Sequence, residues 1–203
     1  MALDPNAMFK FSYGLFVLTA RDGSKDNGCI INTAIQAASS PLRIALAVNK
    51  ANLTHDMILK TGAFNLSIIS ESAPFELFRQ FGFSSGRDKD KFSEGAALAE
   101  RASNGIYFIK KNTNCMISAA LINSYDAGSH TIFTGDAAES AVLSNERSAT
   151  YQYYFDNIKP KQQKSEKKGF VCKICGYVHE GDDLPADFIC PICKHGPQDF
   201  ERL

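Results

Sequence analysis

Four of the six cysteines stand near the end of this 203-residue chain as two Cys-x-x-Cys pairs, Cys172/Cys175 and Cys190/Cys193, with fourteen residues between the pairs. This spacing is the strongest constraint in the sequence. Each pair presents two thiolates from one tight turn, and two such turns close a tetrahedral four-sulfur site suited to Zn²⁺ or a single iron. Without a metal, the roughly 35 residues around the pairs are too few to bury a stable core. A bound metal supplies the missing folding energy.

The rest of the chain is organised around this module. Residues 159–168 carry five lysines against one glutamate, and residues 169–203 carry three basic against six acidic side chains. Residues 1–158 are nearly balanced, with 14 basic and 15 acidic groups. The lysine-rich stretch cannot bury surface and reads as a solvated, flexible basic linker. The expected division is therefore a first domain at 1–158, a linker at 159–168 and a metal domain at 169–203. A net charge of zero and an acidic metal module argue against nucleic acid as a partner. No apolar run approaches the roughly 20 residues of a membrane span. The first residues, "MALDPNAMFKFSYG", lack the pattern of a signal peptide. Both points lead to the expectation of a cytoplasmic protein, where paired cysteines hold metals or redox thiols rather than disulfides.

The first domain reads as mainly β. "GLFVLTA", "IALAVN", "FNLSII", "GIYFIKK" and "HTIFTGDA" are short, β-branched or aromatic runs bounded by turn residues. Two helices are expected. One lies in "NLTHDMILKTG", with Asn52 or Thr54 as cap and Gly62 as stop; the other lies in "SAPFELFRQFGF", between Pro74 and Gly82. This pattern predicts a β-barrel with helical insertions. There is no G-x-G-x-x-G nucleotide fingerprint and no phosphate-binding P-loop. The four histidines are scattered, and each taken alone reads as structural. Cys29 and Cys115 read as small buried apolar residues.

Resemblance sharpens both halves. "CKICGYVHEG", "LPADF" and "CPIC" resemble rubredoxin, which favours a single iron at Cys172, Cys175, Cys190 and Cys193, with structural zinc as the alternative. Gly176 directly follows a cysteine, where a positive φ aims backbone N–H groups at sulfur. The module departs from rubredoxin at Lys194, where glycine is usual. In the first domain, "NGCIINTAIQ", "VNKANLTHD", "FGFSSGRDKDKF" and "GSHTIFTG" occur in the order found in the flavin reductase-like family, the FMN-binding split barrels. They resemble especially the branch fused to rubredoxin.

That resemblance implies FMN as cofactor. Asn32, Thr33, Ala34, Gln36 and Ser39 match the stretch beside the flavin ring. Asn49, Lys50 and Thr54 match the phosphate loop, and Ser84, Ser85 and Lys91 the loop that completes it. His130 matches a histidine near flavin and nicotinamide. The implied function is electron transfer from NADH or NADPH through FMN to iron and on to a protein acceptor such as a flavodiiron protein, within a homodimer. Two alternatives stand beside it: a stand-alone flavin or ferric reductase with a structural metal domain, and a non-enzymatic, flavoredoxin-like carrier. Purified protein is expected to hold about one iron per chain. Cys190→Ser should lose or alter that centre, measured by metal analysis and visible absorption, while flavin stays bound.

Overall fold

The computed structural model describes residues 4, 7, 10–93, 96–160, 169–174, 176–191 and 195–203. Among the described residues, seven antiparallel strands form the main sheet: β1 (Phe16–Asp22), β2 (Lys25–Ile31), β3 (Ala34–Ser39), β4 (Leu42–Asn49), β5 (Ala63–Ile69), β8 (Thr113–Asp126) and β9 (His130–Val142). Their spatial order is β2-β1-β5-β8-β9-β4-β3. Short strands β6 (Ala99–Arg101) and β7 (Tyr107–Ile109) pair separately.

The two edge strands, β2 and β3, are consecutive in the chain and joined by Asn32 and Thr33 alone. Laid flat, seven strands would hold their edges about 29 Å apart. The link between Ile31 and Ala34 reaches at most about 11 Å. The sheet must therefore roll until its edges meet, which makes a barrel with a seam at Asn32–Thr33. The expected mainly β, split-barrel architecture is the one observed.

Alternation explains which strands face what. In β4, Ile44, Leu46 and Val48 are buried while the residues between them are half-exposed. In β1, the alternation vanishes because both faces are covered. Phe16, Leu18 and Ala20 point into the barrel with Phe64 and Phe133; Leu15 and Val17 pack outside with Leu77, Phe78 and Phe81. Helix α1 (Leu53–Thr61) plugs the barrel through Met57 and Ile58. It starts after Asn52 and stops at Gly62, whose φ of 69° favours glycine, as its sequence predicts. Helix α2 (Phe75–Gly82) begins after Pro74 and covers the outer face of β1. A third helical segment, α3 (Tyr151–Tyr153), widens into a π-helical turn over Tyr154–Ile158. No described helix is long and apolar enough to cross a membrane.

The C-terminal module is a three-stranded sheet, β11 (Val178–Glu180), β10 (Gly169–Cys172), β12 (Phe200–Arg202). Phe188 centres its miniature core, with Tyr177, His179 and Phe200 at ring distances of 6.4, 4.6 and 5.3 Å. The lysine-rich residues 161–168 lie outside the described residues.

Phe64 is fully buried against Gly135, where an added Cβ would lie 3.0 Å from its ring. Phe64→Ala should cost about 3–5 kcal/mol, read as a lower denaturation midpoint.

Candidate functional site

A cavity of about 400 Å³ opens at the barrel seam, within the ~300–1,000 Å³ range of cofactor sites. The β2–β3 link supplies Asn32 and Thr33, and the end of β4 supplies Asn49. The start of α1 supplies Ala51, Asn52 and Leu53; the loop after α2 supplies Phe83, Ser84, Ser85 and Gly86; β9 supplies His130. Tyr151 and Tyr154 close one side. Two residues of the cysteine loops, Ile174 and Pro191, also line it, together with His195.

Three features suit this cavity to a polar, anionic ligand. First, α1 begins without a side-chain cap on its first N–H groups. A helix start of this kind presents uncommitted donors and the positive end of the helix dipole. Second, Lys91 is buried, and its Nζ donates to the carbonyls of Gly28 at 2.8 Å and Phe81 at 3.0 Å. An ammonium has three donors, so one remains uncommitted. Third, Asn27 donates through Nδ2 to Thr54 Oγ1 at 2.9 Å, but its buried Oδ1 has no hydrogen-bond partner among the described residues. An orphaned buried acceptor costs about 1–3 kcal/mol, a cost that a ligand hydroxyl or N–H would relieve. Gly86 lies against it: a Cβ there would sit 2.0 Å from Asn27 Oδ1.

The loop that carries Ser84–Gly86 is tied down on both sides. Arg87 bonds Asp56 of α1 at 2.7 Å, and Gln80 Nε2 donates to the Lys91 carbonyl at 2.6 Å. His55 and Arg87 together hold the Asp56 carboxyl below its usual range. His55 itself is buried, bridging Asp56 and Thr131, in keeping with a structural histidine. Burial pushes the Cys29 thiol up, against the Thr54 hydroxyl and the Lys91 charge. Burial also depresses Lys91. His130 is lowered chiefly by burial, with His195 adding to the effect.

Of the residues singled out from sequence, Asn32, Thr33, Asn49, Ser84, Ser85, Lys91 and His130 converge on the cavity. Ala34, Gln36 and Ser39 run away from it along β3, and Gln36 and Ser39 are exposed. Lys50 does not line it; its Nζ bonds Asp126 Oδ1 at 2.6 Å. Thr54 is fully buried behind it, accepting from Asn27. Sequence reasoning passed over Asn27, Gly86, Tyr151 and Tyr154. Asn27 was within reach, because Asn27, Cys29 and Ile31 alternate along β2 and all three are buried.

In the C-terminal module, Cys172 and Cys190 are fully buried, and Gly176 has the expected positive φ, 79°. Cys175, Cys193 and Lys194 lie outside the described residues. Burial of one cysteine from each pair, in a module with so small a core, fits a four-sulfur centre.

His130 is expected to take up its proton below the ordinary range near pH 6.5, so it is neutral at pH 7 and becomes charged only in more acid solution. Imidazole NMR titration checks this; a midpoint above the ordinary value would contradict the burial seen here.

Comparisons with known proteins agree with this arrangement. Residues 8–161 match the flavin reductase like domain, and residues 170–201 match the rubrerythrin, rubredoxin-like domain. The chain is 33% identical to the high molecular weight rubredoxin of Moorella thermoacetica, covering 99% of this chain and 100% of that protein. It is 32% identical to the ferric-chelate reductase (NAD(P)H) of Archaeoglobus fulgidus, over 75% of this chain and 89% of that one. Among solved structures, the NADH:FAD oxidoreductase SgcE6 of Streptomyces globisporus shares the barrel fold, with a TM-score of 0.64 and 19% identity over 74% of this chain and 91% of that one. With a barrel matched over residues 8–161, a rubredoxin-like module after it and a relative matched over its whole length, this chain belongs to the flavin reductase-like family of oxidoreductases, in the form that carries a rubredoxin-like domain.

Proposed function

We propose that this protein is an NAD(P)H-dependent electron-transfer flavoprotein that uses FMN in the seam cavity and iron in the four-cysteine module. The observation that carries this reading is that one cavity is lined both by the barrel's anion-binding elements and by a residue from each cysteine loop, Ile174 and Pro191. A flavin held in this cavity would supply two-electron acceptance from a nicotinamide hydride and one-electron release to an iron centre.

The chain's own residues bind and orient. The α1 start and Lys91 offset the charge of a phosphate. Asn27 Oδ1 accepts from a polar group of the ligand, and Asn32 and Thr33 face it from the seam. Gly86 lets backbone approach closely. His130, neutral at pH 7, sits at the rim as a hydrogen-bonding group beside the nicotinamide position. The four cysteines Cys172, Cys175, Cys190 and Cys193 would hold the iron, which would supply one-electron relay rather than substrate chemistry.

Division into domains at 1–158 and 169–203, joined by the basic linker, belongs to this reading. So does a homodimer. On the outer face of β9 and β8, Ile132 and Tyr125 are direct partners, Tyr125 is 68% exposed, and Ala47 flanks Ile132. Ile35 on edge strand β3 is also 68% exposed. Exposed apolar side chains on one sheet face support a self-association surface there. The relay's outlet is a protein acceptor, for which a flavodiiron protein is our candidate.

The test is an anaerobic absorption spectrum before and after NADH or NADPH. Bleaching of flavin and then of the iron bands is the expected result. A zinc-loaded module would support the stand-alone reductase instead, and flavin that neither nucleotide bleaches would support the carrier. Gly86→Ala should lower flavin affinity by about tenfold or more, since one Cβ displaces the Asn27 amide, and the same clash should cost about 1–3 kcal/mol of stability, read as a lower thermal midpoint.

A further inference from the structure

The C-terminal module does more than share the cavity's neighbourhood. Ile174 sits between Cys172 and Cys175, and Pro191 between Cys190 and Cys193. Each is thus a residue of a segment whose cysteines would hold the metal. Both line the cavity, and His195, five residues beyond Cys190, joins them on the rim that also carries His130. The docked pose has a second anchor: Lys159 Nζ donates to the carbonyl of Lys173, within the first cysteine loop. So the module presents its cysteine-loop face, rather than its β-sheet, to the mouth of the barrel.

The contact is shallow. Pro191 and His195 remain exposed, and Ile174 is half-buried. The neighbouring Ile189 is 55% exposed. Residues this exposed make a small contact of the kind seen between domains of one chain, for which relative motion is the default expectation. A short tether keeps the effective concentration of the module high, so even a weak contact is substantially occupied.

We propose that this cysteine-loop face is a removable cover on the flavin pocket, and that the module and the nicotinamide donor occupy the same mouth by turns. The inference rests on the flavin reading given above. Its consequence is an enforced order. With the module docked, Ile174, Pro191 and His195 share the cavity with Asn32, Thr33 and His130, so a nicotinamide ring entering there competes with them for space. With nicotinamide bound, the metal-bearing loops are held off. The same loop face is then free to meet an external acceptor. Docking therefore lowers the apparent affinity for nicotinamide by the fraction of undocked molecules.

The test uses the full chain, loaded with flavin and with Zn²⁺ so that the metal centre does not quench. Bound-flavin fluorescence is titrated with acrylamide, and NAD⁺ and NADP⁺ are each titrated separately, in wild type, Ile174→Glu and Lys159→Ala. Lys159→Ala leaves both cysteine loops intact and keeps the test valid if the loop variant loses metal. Loss of the cover should raise the acrylamide quenching constant about two- to threefold, as exposure of a largely enclosed ligand requires. It should tighten whichever nucleotide binds by a similar factor. Unchanged quenching in both variants would overturn the docked cover. Raised quenching with unchanged nucleotide affinity would overturn the shared mouth. A wild-type chain that retains no flavin would instead overturn the flavin reading itself.

Discussion

The two-residue link between β2 and β3 is the constraint on which the rest of the structure depends. It ties opposite edges of a seven-stranded sheet within a reach of about 11 Å, so the sheet closes. Closure at a connection, rather than by strand-to-strand pairing, leaves a seam with backbone and short side chains beside it. Helix α1 fills the barrel interior next to that seam, and its first turn opens on it. The cavity thus arises from topology: the site lies where the sheet has to join itself.

The polar groups around the seam are costly in isolation. Lys91 is buried with its ammonium spread over two carbonyls, and Asn27 leaves an acceptor unmatched. A barrel selected for stability alone would place apolar side chains at these points. Their presence is understandable as preorganisation for an anionic, hydrogen-bonding ligand, with Arg87–Asp56 and Gln80–Lys91 fixing the loop that completes the site. The C-terminal module reverses this balance. Its Phe188 cluster is too small to fold 35 residues unaided, so a metal held by the four cysteines would contribute stability.

Much of this was legible in the sequence where local chemistry decides structure. Gly62 stops α1 because αL costs glycine nothing, Pro74 starts α2, and the runs at β1, β4, β5, β7 and β9 are dense in β-formers. The Cys-x-x-Cys spacing defines its own module. Strand β8, "TNCMISAALINSYD", lacks such a signal; it is a strand because β5 and β9 pair with it on both sides.

The site divides along the same line. Resemblance to the flavin reductase-like family picked out Asn32, Thr33, Asn49, Ser84, Ser85, Lys91 and His130, within stretches whose amide, hydroxyl or cationic residues suit a polar ligand. Only the tertiary structure turned Lys50 toward Asp126, hid Thr54 behind Asn27, and brought Gly86 and the tyrosines of α3 to the pocket. It alone set Ile174, Pro191 and His195 over the mouth. The reason is physical. Residue type and spacing fix what a side chain can bond, whereas packing across distant elements fixes which partner is within reach.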